Sequence, residues 1–484
     1  MTGDFECDLL IRNAEVYDGT GAPPVMADVA VAGDRIAAIG AGLSLSAREV
    51  VEAAGLALAP GFIDVHTHDD LAAMRVETSL PKLSQGVTTV VTGNCGISLG
   101  PSPLTRRDTV VPPLDLIATA EEYRYPRFGD YLDALRQHAP GVNVVPLVGH
   151  TVLRARAVED LTGPARAEEV EAMRQDLAEA LDQGAAGLST GLAYPPAKAA
   201  TTSEVLTLVG EVATVGALWT THMRDERTGV VSAVAETIDI ARRSSARALI
   251  SHHKCCGEAA FGLSRTTLAM IEEARGEIRL DIDVYPYTAS STVLIESFAR
   301  DSRRVTVSWS DPHPDMAGRD LDEIAAFWGI DPMAALDRLR PGGAIYHQMD
   351  DDDLERILSW PPSLVGSDGL PRDRRPHPRL WGAFPRVLGH YAREQALLPM
   401  AGAIAKMTGQ TADVLDLPDR GRIAEGAFAD LVLFDPETIR DAASFEDPVR
   451  PSIGVRAVYV NGRRAYGGET NEGSACGRLL ARSA

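Results

Sequence analysis

Two rhythms of apolar and polar positions run along this chain. From residue 5 to about 58, "DLLIRNAEVYDG" and "ADVAVAGDRIAAIG" alternate apolar and polar residues between Asp-Gly and Gly-Asp bends, the period of strands with one buried face. The far end keeps the same rhythm in "GRIAEGAFADLVLFDP" and "IGVRAVYVNGRRAYGG", where Asn461-Gly462 is a dipeptide favoured in two-residue hairpin turns. Residues 1–58 and 415–484 are therefore expected to form one small β-sandwich domain built from both termini.

The middle behaves differently. Eight near-continuous apolar runs recur there: "GFIDVHTH", "GVTTVVTGNC", "VNVVPLVGH", "GAAGLSTGL", "LWTTHMRDE", "RALISHHK", "IRLDIDVYPY" and "PSLVGSDG". Such runs suit a parallel sheet covered on both faces. Amphipathic segments lie between most of them. In "EEVEAMRQDLAEALDQG", Val170, Met173, Leu177 and Leu181 recur at spacings of three and four before Gly184, a helix stop. The alternation predicts an α/β fold, a (β/α)8 TIM-like barrel over residues 59–414. Residues 287–361, between the seventh and eighth runs, are far longer than an ordinary barrel loop and are expected to form a lid or specificity insertion.

Composition narrows the class. A net charge of -21 and a pI near 5.0 argue against nucleic acid or an anionic membrane as partner. The opening "MTGDFECDLL" is acidic and lacks the basic start of a signal peptide, and no apolar run reaches the length of a bilayer span. Five cysteines without regular spacing suit a reducing cytoplasm.

Candidate chemistry collects where the strands end. His66 and His68, Cys95, His150, Ser189 and Thr190, His222, His252, Tyr285 and Asp368 stand at or near the eight carboxyl ends, the face on which such barrels carry their chemistry. His66 and His68, two apart on a strand, face the same way and offer two imidazoles to one ion. A solvated strand end would explain that pair alone, but not the partners at the other strand ends. Cys95, His222 and His252 give one sulfur and two nitrogens, a donor set that favours zinc over magnesium or calcium. Asp368, in "VGSDGLP", would stand beside the water as proton acceptor and donor. Lys254, one of only four lysines, shares the face of His252 if the strand continues and offers a cation to an anionic substrate. His253 faces away, His150 reads as a polar wall residue, and Cys7, Cys255, Cys256 and Cys476 read as structural.

"PGFIDVHTH", "THMRDE", "SHHK", "GSDGLP" and "GAFADLVLFDP" resemble the amidohydrolase superfamily. "QGVTTVVTGNCGIS", "YPY" and "SDGLPRDRRPHPRLWGAFPRVLGHY" resemble more narrowly its D-aminoacylase family, over nearly the full length. The resemblance implies a tight zinc at Cys95, His222 and His252, a weaker second metal site at His66 and His68 that the Cys95 sulfur also reaches, and Asp368 as acid and base. It implies that Tyr285 and Arg379 grip a substrate α-carboxylate alongside Lys254. Lys198, in "PPAK", lies past the fourth strand, so a cysteine bridge suits this chain better than a carboxylated lysine.

The expected activity is zinc-dependent hydrolysis of N-acyl-D-amino acids. The rivals are a cyclic amidase or another deacylase of the superfamily, such as one for N-acyl-D-glutamate or N-acyl-D-aspartate, and a non-catalytic structural relative, which would be expected to lose ligands that are all present here. The side chain is open: Arg300, Arg303 and Arg304 would suit an acidic group, and Phe298 and Tyr346 an apolar one, with apolar or broad specificity the favoured reading. The expected partner is a small N-acyl-D-amino acid, and oligomeric state is not legible.

Overall fold

The computed structural model describes residues 5–102, 110–468 and 475–482. Strands from both terminal regions, within residues 7–60 and 431–466, enter one eight-stranded sheet. Cys7–Val16 pairs antiparallel with Val25–Ala32, which continues to Arg35–Gly40, and parallel with Ala47–Glu52 and Ala57–Pro60. From the far end, Leu431–Phe434 lies antiparallel on Ala57–Pro60 and leads through Val455–Val460 to Arg463–Tyr466. Alternate residues such as Leu9 and Ile11, Val29 and Val31, and Leu431 and Leu433 share one apolar cluster, as a period of two requires. Asn461 and Gly462 turn the last hairpin with φ of 50° and 77°, the left-handed pair of a type I′ turn.

The eight apolar runs of the middle all become parallel strands: Phe62–Asp64, Val87–Thr92, Asn143–Pro146 with Val148–Gly149, Gly187–Gly191, Leu218–His222, Arg247–Ile250, Leu280–Val284 and Ser363–Val365. Spatial order follows sequence order, and the pairing of Thr67 with Gly369 closes the last strand onto the first. Helices such as Ala167–Asp182, Thr202–Thr214, Val230–Ser244 and Ser264–Arg275 wrap the outside. In the first of these Met173, Leu177 and Leu181 are buried, and Gly184 follows with φ of 110°.

The third strand is interrupted at Leu147, its first half pairing with the second strand and its second half with the fourth. The C-terminal segment runs alongside that first half. Val144 N donates to Arg478 O at 2.9 Å, and Leu480 N donates to Val144 O at 2.8 Å.

Between the seventh and eighth strands lies an antiparallel sheet of Ala289–Val293, Gly342–His347 and Arg304–Ser310, with Gly342–His347 in the centre. With the helices Leu321–Trp328 and Pro332–Arg338 it encloses its own core, which includes Val307, Ile324, Leu336 and Tyr346. Tyr346 is thus no pocket wall. Its hydroxyl donates to Val293 O at 2.8 Å and accepts from Ile295 N at 2.9 Å. A central strand must bury one face against the helices above it, and Tyr346 is on that face. The helix Asp351–Ser359 packs instead on Ser264–Arg275, as part of the barrel's outer layer.

Candidate metal centre

Three of the strand ends bend in a way L-residues resist. Cys95, His252 and Asp368 take φ of 54°, 36° and 49°. Left-handed backbone at a non-glycine residue costs on the order of 1–3 kcal/mol and persists only where the surroundings enforce it. Here they do. Gly96 N donates to Ser189 Oγ at 2.9 Å, and that hydroxyl donates to Gly93 O, so Ser189 pins both sides of the Cys95 turn. Gly191 is required beside it, because a Cβ there would fall 2.0 Å from Cys95 O. His252 N donates to Asp283 Oδ1 at 2.9 Å, and Asp368 N to His66 O at 2.7 Å.

The bends aim these side chains at one point. Cys95 Sγ lies 3.2 Å from His66 Nε2 and 3.3 Å from His252 Nε2. Asp368 Oδ1 lies 3.6 Å from His66 Nε2 and 3.2 Å from His68 Nε2. Donor atoms of His66, Cys95, His252 and Asp368 fall within 4.8 Å of one another, and His222, Glu226 and His252 form a second such group that shares His252. His222 is buried, its ring centroid 4.5 Å from that of His252, and neither of its nitrogens has a hydrogen-bond partner among the described residues. A buried imidazole with neither nitrogen hydrogen-bonded, the Glu226 carboxylate standing 3.5 Å from its Nε2, fits a role as metal ligand. One thiol, several imidazoles and a carboxylate together suit zinc.

The electrostatics agree. Burial alone would raise the Cys95 thiol, but His66 and His252 hold it well below its ordinary value, as a thiolate. Burial likewise opposes the Asp368 carboxylate, yet Arg379, His68 and His252 hold it well below the usual carboxylate range. The His68 imidazole resists burial through its hydrogen bond to Asp368 and rises to about 9.

The three residues matched to carboxylate binding also meet here. The Tyr285 ring has Arg379 Cζ 4.5 Å and Lys254 Nζ 5.7 Å from its centroid. Arg379 Nη1 stands 2.8 Å from Asp368 Oδ2, and its Nε is buried without a hydrogen-bond partner among the described residues. Lys254 Nζ donates to Glu226 Oε1 at 2.6 Å.

Several residues around this centre were not singled out from the sequence. Glu226 lies inside the "THMRDE" motif, four residues after His222. Asp283 contacts the ring of His66 at 3.4 Å as well as the backbone of His252. Lys82, buried, reaches Asp64 at 2.8 Å, Asp69 at 3.0 Å and Ser367 at 2.9 Å, tying the first strand to the eighth. The scarcity of lysine was the available signal for Lys82, and the motif itself for Glu226.

The remaining candidates have structural settings. His253 turns outward, its Nε2 2.8 Å from Thr267 Oγ1. His150 is buried against Glu204, Nε2 to Oε1 at 2.9 Å, and Arg154 completes that cluster. The Lys198 side chain is exposed, at the end of a short helix. Arg300, Arg303 and Arg304 pair at the surface with Glu296, Glu258 and Asp320 at 2.5, 3.0 and 2.9 Å. Phe298 lines a cavity of about 610 Å³ that reaches Glu226, Cys256 and Gln348 at the barrel mouth. All five cysteines are buried, and no disulfide joins them among the described residues.

Comparison with known proteins sets this geometry in a family. A model of the amidohydrolase family matches residues 49–466. A D-aminoacylase of Alcaligenes xylosoxydans xylosoxydans is 48% identical over 99% of this chain and 98% of its own. A D-aminoacylase structure, described by a binuclear metal center with one-metal activation and second-metal attenuation, superposes with a TM-score of 0.95 at 46% identity over 99% of this chain and 100% of that one. An N-acyl-D-glutamate deacylase of Bordetella bronchiseptica, solved with zinc and a phosphonate mimic of the tetrahedral intermediate, superposes with a TM-score of 0.93 at 42% identity over 98% and 99% of the two chains. With the fold, the donor set and full-length similarity in accord, the chain belongs to the amidohydrolase family, in its D-aminoacylase branch.

Proposed function

We propose that this chain hydrolyses the amide bond of N-acyl-D-amino acids with Cys95, His222 and His252 as tight zinc ligands, His66 and His68 as a weaker second site, and Asp368 as acid and base. One juxtaposition supports the reading most. The thiolate and imidazole donors stand directly beside a cationic wall, with Asp368 bridging His68 at 3.2 Å and Arg379 at 2.8 Å. A carboxylate-bearing amide needs both parts.

Zinc held by those donors supplies Lewis-acid polarisation of a carbonyl and acidifies water. The protein's own groups do the rest. Asp368, kept ionised by Arg379 and His68, takes the proton of the attacking water and hands it to the departing nitrogen. The C–N bond breaks, the water oxygen stays on the acyl carbon, and the amino acid leaves with its nitrogen protonated. Lys254, Tyr285 and Arg379 fix the α-carboxylate. With carboxylate and amide both held, the two enantiomers send the side chain in different directions, which gives a basis for D preference.

Arg300, Arg303 and Arg304 are already paired with acids at the surface, which supports an apolar or broad choice of side chain over an acidic one. No helix among the described residues is long and apolar enough to cross a membrane. Five buried cysteine side chains without a disulfide support a cytoplasmic setting. The test is zinc analysis together with turnover of N-acetyl-D-methionine, its L-enantiomer and N-acetyl-D-glutamate. Expected are about one tightly held zinc per chain, cleavage of the D-methionine substrate in preference to the other two, and loss of both metal and activity in Cys95→Ala. A metal-free Cys95→Ala variant that still turned over would overturn the ligand assignment.

A further inference from the structure

Glu226 is a charged side chain that is almost wholly buried, 6% exposed, and no step of the reaction above uses it. Its surroundings are unusual. Oε1 accepts from Lys254 Nζ at 2.6 Å and lies 3.0 Å from His252 Nδ1. Oε2 lies 3.5 Å from His222 Nε2. Its backbone carbonyl accepts from Cys256 N at 2.7 Å, which fixes the turn after the fifth strand against the turn after the sixth. One carboxylate thus touches two imidazoles of the metal centre and the lysine that faces the substrate.

We infer that Glu226 is a positioning residue that couples zinc retention to substrate-carboxylate binding by holding His252 and Lys254 in register. His252 presents Nε2 to Cys95 Sγ. An imidazole that ligates through Nε2 keeps its proton on Nδ1, and that proton needs an acceptor to fix the ring. Glu226 Oε1 is placed to be that acceptor. Lys254 Nζ, however, stands 2.8 Å from the same Nδ1. An ammonium and an N–H at that separation repel, and both are buried. The shared carboxylate is the anion that lets them stay together. Without it Lys254 must swing away from His252, or His252 must turn its ring, and either motion disturbs a different function. A buried charge left unpaired is costly, so the rearrangement is forced.

The inference rests on the reading of His252 as a ligand and Lys254 as a carboxylate contact, so metal and substrate are measured separately. Zinc-loaded wild type, Glu226→Gln, Lys254→Met and the double variant are compared for zinc content, rate of zinc loss to a chelator, and KM and kcat with N-acetyl-D-methionine. Outer partners of metal-bound histidines typically affect metal affinity roughly 10- to 100-fold. Glu226→Gln is expected to keep about one zinc per chain, to lose it at least about tenfold faster, and to raise KM proportionately more than it lowers kcat. In the Lys254→Met background the same change should accelerate zinc loss but add no further rise in KM. Glu226→Asp, which keeps the charge, should recover part of both effects. Purification of Glu226→Gln without any zinc would make Glu226 a ligand and overturn the inference. Wild-type zinc retention and KM would overturn it as well, and so would an equal KM rise in both backgrounds. Should wild type fail to cleave the substrate, the functional reading fails while the chelator rates still judge the link to His252. Should Glu226→Gln not fold, Glu226→Asp carries the comparison, with intermediate zinc loss expected and wild-type zinc loss overturning the inference.

Discussion

At the scale of single residues the site is a problem in holding charges where water is scarce. Asp368 faces Arg379 on one oxygen and His68 on the other, and burial makes each contact stronger than it would be in water. Asp368→Asn keeps the shape and most of the hydrogen bonding but cannot accept a proton. Turnover should fall by at least about 100-fold, the lower end for a general acid–base group, while zinc content by metal analysis stays at the wild-type level. Near-normal turnover, or loss of the metal, would contradict the role. The sequence made this centre legible because its donors recur at strand ends: six histidines, cysteines and aspartates share a position in the barrel although up to 302 residues separate them. It hid Glu226, Asp283 and Lys82 because their contacts cross between strands. Nothing local distinguishes Asp283, buried under His66, from any aspartate on an apolar strand. The spacing of Lys254 from His252 points to a cation on the substrate side, and the structure adds its partner Glu226, which the spacing does not reveal.

At the scale of elements, periodicity carried the eight strands and the terminal hairpins, since both are short-range patterns with a buried side. The inserted segment was legible only as an excess of length. Its antiparallel sheet depends on which residues meet across some fifty positions, as Ser290 meets Tyr346, and no local period encodes that pairing. Tyr346 illustrates the consequence: an aromatic near the active face, read as pocket lining, instead bonds two backbone groups inside the insertion. Tyr346→Phe should therefore leave the ranking of D-substrates unchanged and cost about 0.5–1.5 kcal/mol per lost hydrogen bond. A denaturant titration followed by near-ultraviolet dichroism, with a substrate panel alongside, checks both halves. A reordered panel with unchanged stability would return Tyr346 to the pocket. Phe298, whose ring faces Arg227 at 4.8 Å on the cavity side, is the aromatic of this segment positioned to alter preference.

At the scale of the whole molecule the question is whether the terminal sheet and the barrel are one cooperative body. The joint between them combines apolar packing, in which Val432 and Val458 of the sheet share a core with Phe62 and Val87 of the barrel, with a buried polar network. Asp430, beside the sheet strand Leu431–Phe434, pairs with Arg420, accepts from Asn461 N at 2.7 Å and from Asn143 Nδ2 at 3.1 Å, and its backbone carbonyl accepts from Gly61 N at 2.8 Å. Asn143 begins the third barrel strand, and Asn461 is the turn residue of the last hairpin, so one carboxylate connects an element of each part. Asn461 Nδ2 donates in turn to Asn143 Oδ1 and to Cys476 O, each at 2.8 Å, which brings the C-terminal segment into the same network. Such a network gains only when every member is satisfied, and removing one member strands the others. Asp430→Ala removes the carboxylate paired with the buried Arg420 guanidinium, leaving it Asn461 Oδ1 at 2.9 Å, and takes the acceptor from the Asn461 N–H, a loss of about 3–5 kcal/mol by analogy with other broken buried ion pairs. Wild type should unfold in a single calorimetric transition, because neither part can open without breaking these bonds. Asp430→Ala should lower that transition or split it, the terminal sheet melting first and the barrel retaining its zinc at intermediate temperature. Two separate transitions in wild type, or an Asp430→Ala variant as stable as wild type, would mean that the apolar contacts around the joint suffice and the buried network is incidental to cooperativity.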